Sequence, residues 1–403
     1  MPRLAFLAAT FYLTVLTACA GSDGATAPRQ DPPVDPVNTG ATPVAISSGG
    51  SHTCALSDSG RAFCWGRGQY GALGIGVGAT VSGRPRAVAG SLVFATLSAG
   101  YVHTCGVTRI GAAYCWGWNY ERATVRGALG DGTDTDREVP SAVVGGLVFR
   151  EIAAGGHHSC GVVSDNAIYC WGRNVTGELG SGDTSGTAQL RPVQVAGDRR
   201  FRGLALGYKW TCGLDQDSRA FCWGDGIDGQ LGNGRNSGSL LPDVVVGGLR
   251  FSSLSSAQFG GHTCGVTTDS VAYCWGSNNY GQLGNGTTTG RSIPTRVSGG
   301  FKFLAIGTGG YYTCGLLSNG EAYCWGSVFA ADRVGEPANP NPTRMAAPAG
   351  VTFTTIAVGA NHTCALTPAK AVYCWGAGGT VGDGYNTDRV VPTPVVGFKT
   401  SPP

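Results

Sequence analysis

The chain has 403 residues, of which only 13% are charged, with 68 glycines, 15 cysteines and a formal net charge of +3. So few charges leave little material for solvated helix faces, and no basic run or stripe supplies the electrostatic footprint of nucleic-acid binding. Fifteen cysteines in one chain point to an oxidising compartment.

Met1 to Ala18 carries one early cation, Arg3, then an apolar run from Leu4 to Leu16. The run is too short for a membrane span and reads as a secretory signal. It ends Leu16-Thr17-Ala18-Cys19, which resembles the bacterial lipoprotein processing box, so Cys19 is the expected lipidated residue. Residues 19–43 are rich in Gly, Ala, Thr, Asp and Pro and read as a disordered tether. The expected location is the bacterial envelope, periplasmic or cell-surface, with membrane contact through the lipid alone.

From residue 44 to 398 one unit returns seven times, ahead of a short tail, 399–403. Its two cysteines lie ten positions apart: Cys54 and Cys64, Cys105 and Cys115, Cys160 and Cys170, Cys212 and Cys222, Cys264 and Cys274, Cys314 and Cys324, Cys364 and Cys374. Trp-Gly follows every second cysteine, and first cysteines recur every 50 to 55 residues. Such a period indicates a repeat architecture. Within the first unit, pairing outward from a turn at Asp58-Ser59-Gly60 sets Ala55 against Phe63 and Cys54 against Cys64. Directly opposed residues on antiparallel strands lie within disulfide range, so seven intra-hairpin disulfides are expected. That leaves only Cys19 unpaired. The turn needs positive φ, which Gly60, Gly111, Asn166 and Gly320 accommodate readily; Ser218, Ser270 and Lys370 fit it less well and imply looser turns.

A histidine two residues before the first cysteine (His52, His103, His158, His262, His362) raises the alternative of a metal site. Trp210 and Tyr312 replace it while their cysteines remain, so pairing is preferred and no metal or cofactor is expected. Those histidines are expected to cap backbone groups inside their own hairpins. Each unit holds four short apolar stretches separated by turns, and a phenylalanine precedes the first cysteine in six copies (Phe94, Phe149, Phe201, Phe251, Phe303, Phe353). Seven four-stranded antiparallel meanders give an all-β, seven-bladed propeller. The ring is expected to close by pairing Val44–Ser47 with Val390–Val396.

The segment GGHTCGVTTDSVAYCWGSNNYGQLGNG, Gly260 to Gly286, resembles repeats of the regulator-of-chromosome-condensation family, and the likeness recurs in phase over about 355 residues. Copies six and seven lack Gly-Gln-Leu-Gly. The resemblance implies a seven-bladed propeller. Its members include a nucleotide-exchange factor for a small GTPase, a plant ultraviolet photoreceptor and bacterial propellers that inhibit β-lactamases through one face.

In a meander the first and third connections of each blade share one side. Tyr101, Tyr208 and Tyr311 stand on the former, and Tyr70, Trp118, Tyr120, Tyr280 and Phe329 on the latter. Opposite turns such as Ser57–Gly60 and Thr268–Ser270 carry no aromatic residue. The side with gathered tyrosine and tryptophan is the expected interaction surface for a protein or a surface glycan, with Trp118 and Tyr120 foremost. Catalytic motifs are absent; a glycosidase would need two paired carboxylates, and Glu121 and Glu178 read as solvated loop acids. Asp131, Asp134 and Asp136 alternate in a glycine-containing loop, a pattern that also suits calcium but reads as a solvated loop. The expectation is a monomeric, non-catalytic binding scaffold. The alternatives are an envelope enzyme acting on polysaccharide, a purely structural spacer, or, as the resemblance alone implies, a nucleotide-exchange-like or β-lactamase-inhibitor-like protein binder.

Overall fold

The computed structural model describes residues 39–122, 125–327 and 339–399; Cys19, most of the tether, Phe329 and the end of the tail lie outside the described residues. Seven four-stranded antiparallel sheets follow one another along the chain, joined by a small hairpin of Tyr120–Arg122 with Val125–Arg126. Each blade is contiguous in sequence. First strands, such as Pro43–Ser48 and Phe94–Ala99, pack against those of both neighbouring blades, including Pro43–Ser48 against Thr355–Val358, and so surround the axis.

Hairpin register is the expected one. Leu56 opposes Ala62, Ala55 opposes Phe63 and Cys54 opposes Cys64. All seven expected disulfides are present, one in each blade. Cys54 is bonded to Cys64, Cys105 to Cys115, Cys160 to Cys170 and Cys212 to Cys222. In the last three blades Cys264 is bonded to Cys274, Cys314 to Cys324 and Cys364 to Cys374. Their Cα–Cα separations are 4.0–4.1 Å, as direct opposition on paired strands requires. The turn residue has positive φ in every blade, 65° at Ser218, 67° at Ser270 and 63° at Lys370 included. Those three positions carry left-handed strain that glycine avoids in their sister blades.

The repeated tryptophans are buried between blades. Trp171, Trp223, Trp275 and Trp325 donate Nε1–H to carbonyls of the preceding blade, at Ala128, Glu178, Gln230 and Gln282, over 2.9–3.0 Å. The final glycine of Gly-Gln-Leu-Gly lies against the same ring: a Cβ on Gly284 would stand 2.5 Å from Trp325 Nε1. That motif is therefore packing. In blade seven Val381-Gly382 does the same work, with Gly382 against Trp65 of blade one.

The histidines do not cap their own hairpins. Each reaches the Ser or Thr that precedes the first cysteine of the next blade: His52 to Thr104, His103 to Ser159, His158 to Thr211, His262 to Thr313 and His362 to Thr53, over 2.6–2.9 Å. Trp210 Nε1 donates to Thr263 at 2.9 Å, and the Tyr312 hydroxyl meets Thr363 at 3.0 Å. Seven bonds thus form a closed belt, and any ring with a terminal polar hydrogen serves. Thr104, Ser159, Thr211 and Thr313 donate their hydroxyl hydrogens onward to Ala72, Ala128, Glu178 and Gln282 carbonyls. Their histidine partners must therefore donate from Nε2. Because the Nδ1 atoms of His103, His158 and His262 are buried with no acceptor, a second ring proton there would be unpaired, and the neutral ring is favoured.

Ring closure differs from expectation. Arg389–Pro394 is the outermost strand of blade seven and Pro43–Ser48 the innermost of blade one, so the two do not pair. Closure lies just beyond them: Thr39 N donates to Gly397 O at 2.7 Å and Lys399 N to Ala41 O at 3.0 Å. Copy one has Pro43 where the other copies have phenylalanine. Phe398 fills the gap, 5.8 Å from Trp65, as Phe94 stands 5.7 Å from Trp116. Phe398→Ala should cost about 3–5 kcal/mol, read as a lowered midpoint in urea; an unchanged midpoint would remove the C-terminal clasp from the closure account.

Candidate functional site

First and third connections do share a side, and their aromatic rings meet. The decisive element is in blade five. Phe251 precedes Cys264 by thirteen residues, whereas the equivalent spacing is eleven in the other five copies with that phenylalanine. The two extra residues, Gln258 and Phe259, extend the turn before His262 and cross the axis. Gln258 Nε2 donates to Ala99 O of blade two at 2.6 Å and to Ala154 O of blade three at 3.3 Å. Phe259 stacks on Tyr101 at 5.3 Å and 11°, and meets Tyr208 at 6.1 Å and Tyr311 at 5.6 Å edge-on.

His157 extends the cluster, 5.0 Å from Tyr208 and 4.8 Å from Trp118, with Nε2 hydrogen-bonded to the Tyr208 hydroxyl at 3.2 Å. On the far side Tyr311 packs against Tyr280 at 4.8 Å. Burial, then the neighbouring phenols, pushes the Tyr101 and Tyr311 hydroxyls above the usual phenol range. These rings form a cap that closes the axis. Tyr101, Tyr208 and Tyr311 are consequently half-buried.

Trp118 is a correction. It is only 5% exposed and packs with Val102, Val125 and Ala128 beneath its own loop. Tyr120, 50% exposed on the small hairpin, remains outward, as do Tyr70 at 54% and Tyr280 at 41%. Val175 and Ile227, on the corresponding loops of blades three and four, are also exposed. Five successive blades therefore present an apolar side chain at the rim of the aromatic cap. The opposite side is not free of aromatic residues: Phe301, in the connection to the first strand of blade six, packs on Tyr323 at 4.6 Å.

Glu178 is not the solvated loop acid expected of it. Glu178 is fully buried, paired with Arg173, and its Oε2 accepts the Thr176 amide. Gln230 and Gln282 accept the matching amides of Asp228 and Tyr280, so Glu178 does a glutamine's work with its charge compensated. The Glu121 side chain lies outside the described residues. Asp131 accepts from Thr133 and Arg137, Asp134 pairs with Arg126, and Asp136 accepts the Asn119 amide. Hydrogen bonds from Thr133, then Arg137, hold the Asp131 carboxyl below the usual range against its burial. Asn233, Asn285 and Asp383 bend their loops in the same way. The calcium-like spacing is a recurrent turn, and among the described residues no group of three or more His, Cys, Asp or Glu could hold a metal.

Comparison with known proteins agrees with this architecture. A profile of the RCC1-like domain matches residues 84–401, and profiles of the regulator of chromosome condensation (RCC1) repeat match 44–72 and 59–107. The ultraviolet-B receptor UVR8 of Arabidopsis thaliana is 31% identical over 261 residues, 62% of this chain and 57% of the receptor. E3 ubiquitin-protein ligase HERC2 of Homo sapiens is 30% identical over 263 residues, 64% of this chain and 5% of the ligase. The chain thus spans less than two thirds of either relative. Prp20p of Saccharomyces cerevisiae superposes with a TM-score of 0.70 at 24% identity, covering 84% of this chain and 87% of that one. Human WBSCR16 gives 0.73 at 21%, covering 83% and 94%. These two structures share the fold.

Proposed function

Because this chain belongs to the RCC1-like repeat family, we propose that it is a non-catalytic scaffold that binds a partner protein through the capped face. The observation that carries this reading is the rim of Tyr70, Tyr120, Val175, Ile227 and Tyr280, exposed on five successive blades around a closed aromatic cap. Large apolar side chains gathered at one face are the usual anchors of protein interfaces. Relatives of this fold bind proteins: yeast Prp20p is seen bound to Kap60 and binds Gsp1p and histones. The seven disulfides fit an oxidising, extracellular location. We place the protein at the bacterial envelope as a monomer, tethered through a lipidated Cys19.

A second reading, a surface glycan, draws on one observation. A cavity of about 330 Å³ between the loops of blades four and five gathers Asp228, Asn236, Ser277, Asn279 and Arg291, close to Tyr280. Burial and the nearby Asp225 raise the Asp228 carboxyl above its ordinary range.

Both readings are tested by capture from envelope extract with three proteins. These are the wild type, a rim variant combining Tyr70→Ser, Tyr120→Ser, Ile227→Ser and Tyr280→Ser, and an Ile110→Ser control on the opposite face. A protein kept by wild type and control but lost by the rim variant is the expected result. Retention by all three would sink the rim as the interface. A captured polysaccharide lost on combining Asp228→Ala with Asn279→Ala would favour the second reading.

A further inference from the structure

In a seven-fold repeat, the position that breaks the pattern is informative. The first strands line the axis, and their only ionisable residues are Arg150, Glu151 and Arg202. Both arginines reach a carbonyl of the next blade: Arg150 Nη2 donates to Phe201 O at 2.9 Å, and Arg202 Nη2 to Phe251 O at 2.6 Å and, within its own blade, to Ser218 Oγ at 3.2 Å. Glu151 reaches across to blade four, where Oε1 accepts the Leu204 amide at 3.3 Å. None of the described ion pairs includes it.

Glu151 borders a cavity of about 250 Å³ at the inner edge of blades three, four and five, lined also by Arg202, Gly203, Leu214, Ser252 and Ser253. Gly203 creates part of this space. Sister blades carry Thr96, Glu151 and Ala305 at its position, whereas a Cβ on Gly203 would meet nothing within 4 Å. The Gln258–Phe259 crossing closes the axis at the capped face, about 10 Å beyond Glu151, since Ala154 lies three strand residues further on. Around the same axis Gln258 Oε1 and Thr96 Oγ1 are buried without a partner, so the axial space is polar and suited to a hydrated ligand.

We propose that this cavity binds a small organic cation, a primary alkylammonium whose charge pairs with Glu151 and whose remaining hydrogens reach the Ser253 hydroxyl. Glu151 is bordered by hydroxyl, glycine and leucine, with Arg150 within electrostatic reach and Arg202 at the cavity wall bonded to the Phe251 carbonyl and Ser218. A carboxylate with no ion pair of its own in such a lining is complementary to an amine on a short aliphatic stem. The site lies below the cap and does not depend on the rim. Failure of one therefore leaves the other intact.

The test is an amide-resolved NMR titration of the folded domain with putrescine, and with 1,4-butanediol as the uncharged analogue. Saturable shifts at Leu204 and Ser253 with putrescine in the submillimolar range, and none with the diol, are expected. Glu151→Gln keeps an oxygen for the Leu204 amide and should weaken binding at least tenfold without changing the thermal midpoint. Gly203→Val should fill the cavity and abolish the shifts. Equal response to diol and diamine, undiminished binding by Glu151→Gln, or shifts confined to exposed surface acids would overturn the assignment. Should the valine variant not fold, the glutamine variant decides alone.

Discussion

Acidification from pH 7.5 to 4.5 is expected to unfold the propeller with its disulfides intact. The cause is the belt. Burial lowers the His52 pKa to about 4 and those of His103, His262 and His362 to about 3, and depresses His158 well below its ordinary value. An unfolded histidine titrates near 6.5. The folded pKa is the lower one, so the unfolded chain binds the protons first. The stabilisation is fully present above about pH 6.5 and is lost as pH falls toward the folded values. At pH 4.5 each of the four histidines with values of about 3–4 costs roughly 2–3 kcal/mol, on the order of 10 kcal/mol for the belt. That equals the whole stability of an ordinary domain. Asp136, Glu151 and Asp228, raised by burial, act in the opposite sense from a lower starting range. Urea midpoints across this window measure the effect. His262→Tyr, which copies the solution of blade six, should reduce proton uptake on unfolding by about one. A midpoint independent of pH from 7.5 to 4.5 would mean that the belt histidines are not neutral hydrogen-bond donors in the folded state.

The belt also shows where the sequence stopped being legible. The hairpins were readable because every element of the argument is local: two cysteines ten apart, a turn between them and a two-residue side-chain period. The belt joins residues about fifty apart, and from one repeat alone His-Thr-Cys looks like a motif folded on itself. Its signal was present in the neighbouring position, Thr53, Thr104, Ser159, Thr211, Thr263, Thr313 and Thr363, which is a hydroxyl in every blade. Likewise, the thirteen-residue spacing from Phe251 to Cys264 announced the insertion that carries Phe259 across the axis. Pro43 in place of phenylalanine announced that blade one is completed from elsewhere, by Phe398.

Exposure was the least legible quantity. Trp118 sits on a long loop and reads as a surface anchor, yet Val102, Val125, Ala128 and His157 close over it. Tyr120, two residues on, is outward. Loop length and residue type do not distinguish the two; the fold of the Tyr120–Arg122 hairpin does. Glu178 illustrates the same point with charge. A loop acid is solvated by default, but here Arg173 from the same loop enters with it. A pair buried together offsets part of the penalty that either would carry alone.

Reduction should separate the native protein from its folding. All fourteen bonded cysteines are at most 1% exposed and lie in the inter-blade cores, so a thiol reductant cannot attack them without unfolding. The native protein is therefore expected to keep its circular dichroism and show no alkylatable thiols in reductant alone. Unfolded in urea with reductant and then diluted, it should not regain the native signal until oxidised. Each bridge closes a loop set by a sequence separation of 10, worth about 2.5–3 kcal/mol through the unfolded chain. Three such clamps lost at full value already match the roughly 5–15 kcal/mol that holds an ordinary domain. The charge-poor blades have little else to compensate, because the bonded cysteines are themselves part of the inter-blade cores, packed with the next blade's tryptophan. Refolding of the reduced chain to the native spectrum with an unchanged urea midpoint would make the bridges incidental, and would remove the argument that links this fold to an oxidising compartment.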